Sequence, residues 1–125
     1  MSKVFIVNKA SHDHSDAERF GELVFLTEGA INRYATTSMF REFIAPLNRS
    51  SPEDYILPTS LTIMNIIACT IFGIKHKKLN LLIYKSDKKG GVGRYIERRL
   101  NLEEVTDGLS DQGTDCMEES RLNQD

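Results

Sequence analysis

Cysteine is scarce in this chain, with two in 125 residues, and neither position suggests a bridge. Cys69 lies in an apolar run and reads as a buried thiol, whereas Cys116 lies in a polar stretch and reads as free. That excludes a disulfide framework and sets a reducing cytosol as the expected compartment. Histidine is scarcer than a metal-rich hydrolase needs, since His76 is the single one outside the His12–His14 segment. The chain also lacks an apolar run long enough to span a bilayer, which takes about 20 residues. No charged amino-terminal segment with a long apolar core and small-residue cleavage site is present, so no signal peptide is expected. There is no phosphate-binding GxxxxGK[ST] loop, no Ser-His-Asp or Cys-His nucleophile arrangement, no internal repeat and no low-complexity segment.

What is present has the proportions of an ordinary soluble globule, 40% apolar and 27% charged. The net charge of −2 conceals a split. Residues 1–100 hold 15 Lys and Arg against 10 Asp and Glu, while residues 101–125 hold one against eight. A basic body suits an anionic partner of the nucleotide or phosphate kind. The acidic end, poor in apolar residues, reads as a disordered tail over 103–125, leaving a single domain over 1–102. The basic residues are scattered among carboxylates, which excludes the continuous stripe of a nucleic-acid binder.

Hydrophobic patterning predicts strands at Lys3–Val7, Glu22–Thr27, Asp54–Pro58, Leu79–Lys85 and Arg94–Leu102. Met39, Phe40, Phe43, Ile44 and Leu47 define one helical face over about Thr37–Leu47. Thr36 or Thr37 is the expected cap, and Pro46 is expected to kink the helix or end it near Ile44. A second helix is predicted from Leu61 to about Lys77, capped by Thr59 or Ser60 and apolar nearly all round. Such a helix is expected to be buried on most sides, by the sheet and by a partner subunit. The glycines of SDKKGGVG give a hairpin between the last two strands, and the charges of the last strand mark it as an edge. The result is an α/β fold: a small mixed sheet of about five strands, in the order β-β-α-β-α-β-β, packed with two helices.

The candidate site lies in loops leaving the sheet. Asn8 to Gly29, NKASHDHSDAERFGELVFLTEG, sets a dense polar loop between two apolar runs. His12-Asp13-His14-Ser15-Asp16 has the opening of an HxHxD zinc motif, but Ala17 stands where a further histidine would close it, so no metal is expected. Capping a turn is the alternative role for His12 and Asp13. Ser15–Phe20 has the makings of one helical turn with Ser15 as its cap. Thr59 and Ser60, between a strand and a helix, are expected to offer anion donors at the carboxyl edge of the sheet. If the first and third strands are parallel neighbours, Asn8, His12 and Asp13 share that edge and fix a ribose or base. Arg33, Arg94 and Arg98 are the candidate phosphate partners, against the alternative of solvated surface charges. Tyr34, Tyr55, Tyr84 and Tyr95 offer rings for stacking, against the alternative of packing.

The segments SHDHSDAERFGELVFLTEG and PEDYILPTS before an apolar helix, then LNLLIY and a Tyr-containing last strand, resemble small bacteriophage proteins. In layout the chain is similar to the Thoeris anti-defence protein 1 family over about residues 3–100. The resemblance implies a compact module that assembles as dimers or hexamers in the host cytoplasm. It implies binding and sequestration of a nucleotide-derived immune signal, of the cyclic ADP-ribose or cyclic-oligonucleotide type, without cleavage and without a cofactor. Two other classes fit the residues. One is a small α/β phosphohydrolase or ADP-ribosyl-processing enzyme using His12, Asp13 and His14. The other is a protein-binding inhibitor whose acidic tail mimics nucleic acid.

Overall fold

The computed structural model describes residues 2–9, 12–87, 89–91 and 93–105. The elements are β1 (Lys3–Ile6), a short 3-10 helix η1 (Ser15–Phe20), β2 (Glu22–Phe25), α1 (Thr36–Asn48), β3 (Tyr55–Leu57), α2 (Thr62–His76), β4 (Lys78–Lys85) and β5 (Arg94–Asn101). They form one mixed sheet in the order β2-β1-β3-β4-β5. β1 is parallel to both β2 and β3, β3 is parallel to β4, and β5 closes the sheet antiparallel to β4. The fold is therefore the expected α/β arrangement of five strands and two helices.

Alternation along β1 explains its central place. Phe5 and Val7 point to the helices, where they join Met39, Phe43 and Leu47 of α1 and Met64, Ala68 and Phe72 of α2. Val4 and Ile6 point the other way, onto Ala17 of η1 and Tyr55, Leu57, Leu82 and Tyr95. A strand buried on both faces reads as an unbroken apolar run, because its neighbours supply covers for both sides. In each helix the buried residues recur every four positions, one stripe facing the sheet. The connection from β1 to β2 packs on one face, while α1 and α2 pack on the other. The winding thus reverses between β1 and β3.

Several local expectations are corrected. Pro46 neither ends nor kinks α1 near Ile44; the helix runs to Asn48. Pro46 sits in the last turn, so the one hydrogen bond it forfeits is that of the Glu42 carbonyl on an exposed residue, where water can serve it. Arg49 and Ser50 amides then close the end on Pro46 and Leu47 carbonyls. Neither Thr36 or Thr37 nor Thr59 or Ser60 caps its helix through a side chain: Ala35 and Leu61 hold the cap positions. Nor does Ser15 cap η1, whose cap position is His14. Within the single chain α2 is buried on one stripe, with Ile66 and Ile74 exposed on the side where a partner subunit was expected. Residues 103–105 make a helical turn after β5. The remainder of the expected acidic tail, 106–125, lies outside the described residues.

Candidate functional site

The two loops expected to meet do meet. The register Val4–Tyr55, Phe5–Ile56 and Ile6–Leu57 makes β1 and β3 parallel neighbours, so their carboxyl ends open on the same edge. In doubly wound sheets, ligands bind in the crevice outside the carboxyl ends, at the point where the strand order reverses. A cavity of about 330 Å³ opens there, lined by His12, Asp13, His14, Leu57, Pro58, Thr59, Ser60, Tyr84 and Tyr95. Its size falls at the lower end of small-molecule pockets, roughly 300–1,000 Å³. Two shallower hollows adjoin it. One shares His12, Asp13 and His14 and extends to Lys9, Glu18 and Phe25. The other shares Ser60 and extends to Arg33 and the first turn of α2.

Each wall has a local cause. The Asp13 carboxylate accepts from the Ser15 amide at 2.9 Å, an Asx turn that starts η1 and fixes the His12–His14 loop. That hydrogen bond holds the Asp13 carboxyl below its ordinary value. η1 is fastened to β5 at Tyr95: Asp16 accepts from the Tyr95 amide and Arg19 donates to its carbonyl, both at 2.7 Å. The first of these bonds depresses the Asp16 carboxyl. Opposite, the Asn65 side-chain amide both accepts from and donates to the Thr59 backbone, and so fixes the Thr59–Ser60 corner. Asn65 does the work expected of a threonine or serine cap, reaching back from inside the helix.

His14 is buried in the cavity wall, 8% exposed. Its Nδ1 lies 2.9 Å from the Tyr95 hydroxyl. Burial first, and His12 second, push its pKa below the ordinary 6.5, while burial raises that of Tyr95. The Nε2 atom of His14 and Oγ1 of Thr59 are both shielded from water without a protein partner. Most buried polar side-chain atoms are paired, and each exception asks for an explanation. Here two exceptions belong to residues lining one cavity, one from each of its loops.

Of the expected site residues, His12, Asp13, Thr59 and Ser60 line the cavity and Arg33 the adjoining hollow. Asn8 is spent on structure: its amide donates to the Gly29 carbonyl, and its oxygen accepts from the Thr27 hydroxyl. Arg94 and Arg98 are not among the described lining residues of the cavity. Arg98 instead lines a separate hollow with Ile83, Lys85 and Ile96. The HxHxD segment does not converge on a point. The His12 and His14 ring centres are 6.4 Å apart, and Asp16 turns to Tyr95 and Arg19. Among the described residues no three His, Cys, Asp or Glu side chains gather as a metal set. Cys69 is partly buried and its thiol is pushed up to about 11 by burial, so it is not a nucleophile. His14, Tyr84 and Tyr95 also line the cavity; the sequence offered the two tyrosines as stacking rings among four, and His14 within the enzyme alternative, but nothing local joined the three.

Residues 2–102 match the family described as Phage Pam3 gp32-like protein. The chain belongs to this bacteriophage protein family. No curated protein and no solved structure matches it. No described helix is long and apolar enough to cross a membrane.

Proposed function

We propose that this phage protein binds a nucleotide-derived host immune signal in the β1/β3 cavity and sequesters it without cleavage. The observation that carries the proposal is the cavity itself. It sits at the strand-order reversal and takes polar residues from both flanking loops, His12, Asp13 and His14 from one and Thr59 and Ser60 from the other. The ionised Asp13 suits ribose hydroxyls. The start of α2, with Ser60 and Arg33 beside it, suits phosphate, because unpaired amides and the helix dipole favour an anion there. A sequestering protein needs tight binding and no reacting group. The ligand class follows the Thoeris-type resemblance, cyclic ADP-ribose isomers or cyclic oligonucleotides, with the host cytoplasm as the place of action.

The proposal includes a homo-oligomer. Between Thr62 and Ile74 the second helix carries no charge, yet Ile66 and Ile74 are 55% and 70% exposed. An uncharged apolar face is compatible with its own copy across a twofold axis, where like surfaces meet.

Thermal unfolding against a panel of cyclic ADP-ribose isomers and cyclic di- and trinucleotides tests the reading. A ligand at about 100 times its Kd adds about 2.7 kcal/mol of stability. For a domain this size that raises Tm by roughly 10 °C or more. Mass spectrometry of the heat-released ligand is expected to return it intact. A flat panel with folded protein ends the proposal, and a cleaved product ends the non-enzymatic part.

A further inference from the structure

Tyr84 stands out among the lining residues because it is rigidly held yet half uncovered. It lies on β4 opposite Tyr95 of β5, with their rings edge to face and centroids 5.4 Å apart. The hydroxyl end of the Tyr84 ring rests on Gly93, where any Cβ would collide with it and with the Lys85 carbonyl. A glycine under an aromatic ring on the neighbouring strand gives the ring a flat seat, and the ring in turn covers the bare backbone. Gly93 is accordingly buried, while Tyr84 remains 55% exposed at the cavity. Two contacts therefore fix the ring's position before anything binds, so little rotamer freedom is left to lose on binding.

We infer that Tyr84, seated on Gly93 and braced by Tyr95, is the stacking platform of the cavity and takes the planar heteroaromatic ring of the bound molecule. This rests on the reading of the cavity as a nucleotide site. The polar groups of the cavity belong to the other walls: His12, Asp13 and His14 on one loop, Thr59 and Ser60 on the other. A ligand with a planar base at one end and hydroxyl or phosphoryl groups at the other matches this division. A sugar phosphate without a base does not.

The chain contains no tryptophan, and two of its four tyrosines, Tyr84 and Tyr95, line the cavity, so part of the tyrosine emission reports on the site. Cyclic ADP-ribose, ADP-ribose, cyclic diadenylate and base-free ribose 5-phosphate would be titrated into wild type, Tyr84→Phe, Tyr84→Leu and Gly93→Ala. In wild type, a base-bearing probe is expected to quench emission and ribose 5-phosphate is expected not to. Tyr84→Phe keeps the ring and is expected to keep the affinity while losing most of the quench. Tyr84→Leu is expected to weaken binding by about tenfold or more, the usual cost of losing one base–aromatic stack. Gly93→Ala is expected to do the same by lifting the ring, although residue 93 is absent from the described cavity lining. Unfolding curves for the four proteins identify any variant that fails to fold. Tyr84→Leu binding as tightly as wild type, with emission unquenched throughout, overturns the platform and leaves the cavity reading standing. If no probe binds wild type, both fall together.

Discussion

His14 shows how one residue can carry both a cost and a use. Tyr95 offers a single hydroxyl hydrogen, and His14 Nδ1 is its only side-chain partner among the described residues. If that hydrogen goes to Nδ1, the ring hydrogen sits on Nε2 and one buried donor is left unpaired. In the opposite tautomer, both Nε2 and the tyrosine hydrogen lack partners, so the first arrangement is preferred. Burial also makes a charge on the ring unfavourable, and His76, packed at a tilt against Phe72 and bonded to Ser50, shares that lowered pKa. As pH falls through the ordinary 6.5, the unfolded chain takes up protons that the folded chain refuses. Stability therefore rises with pH in this window and is lost on acidification. Tm is expected to drop between about pH 7.5 and about pH 5.5, and the double variant His14→Gln, His76→Gln to flatten that slope. The Asp16 carboxylate adds a loss of the same sign at lower pH, near and below 3.8. A wild-type profile level across the upper window would show that both histidines titrate alike in the folded and unfolded chains.

Among the elements, α2 links the fold to the site. Its buried stripe, Met64, Ala68 and Phe72, packs on the sheet, and one turn from its start Asn65 reaches back to hold the Thr59 backbone at both nitrogen and oxygen. Replacing Asn65 by alanine removes two hydrogen bonds and leaves the Thr59 groups unpaired. The expected loss is about 1–3 kcal/mol in urea unfolding. Amide exchange at Thr59 is expected to quicken while exchange in the interior of β1 stays slow. Equal exchange at Thr59 in both proteins would show that the corner is held by something other than Asn65. At the far end, Lys77 closes α2 in the left-handed conformation, φ 60°, and leads straight into β4. Charge near the helix end accounts for Lys75, His76 and Lys77 without a ligand.

For the whole molecule, the division of faces sets what a partner can see. η1 covers one side of the sheet and α1 and α2 the other, and the exposed large apolar side chains include Ile66 and Ile74 on α2, Phe40 on α1, and Ile83, Tyr84 and Leu100 on the β4–β5 flank. Sedimentation at micromolar concentration is expected to give a species larger than the 14.2 kDa chain. The double variant Ile66→Lys, Ile74→Lys is expected to return it to a monomer that keeps its far-ultraviolet circular dichroism, because both side chains are exposed on the single chain. A monomeric wild type would remove the oligomer from the proposal. The acidic end is a separate question. A chain ending at residue 105 is expected to bind the stabilising nucleotide as the full chain does. Loss of binding on truncation would move the function toward the tail.

The sequence by itself determined the element types and their order, because periodicity, glycine turns and the charged edge strand are local properties. It also implied that two candidate loops share an edge: polar residues just past β1 and β3 must do so once those strands are parallel neighbours. It misjudged the helix caps and Pro46, where the outcome depends on which exposed or reaching side chain can serve a carbonyl or an amide. Only the tertiary structure decided which side chains reach the cavity. Asn8 has the right address but spends its amide on Gly29 and Thr27. Arg98 lies on the sheet face away from η1, since its register with Leu81 puts it on the helix side. Tyr84 and Tyr95 sit 24 or more residues beyond the loops they join. They arrive there because a sheet that wraps around η1 brings β5 to the residues that follow β1, and no local pattern encodes that approach.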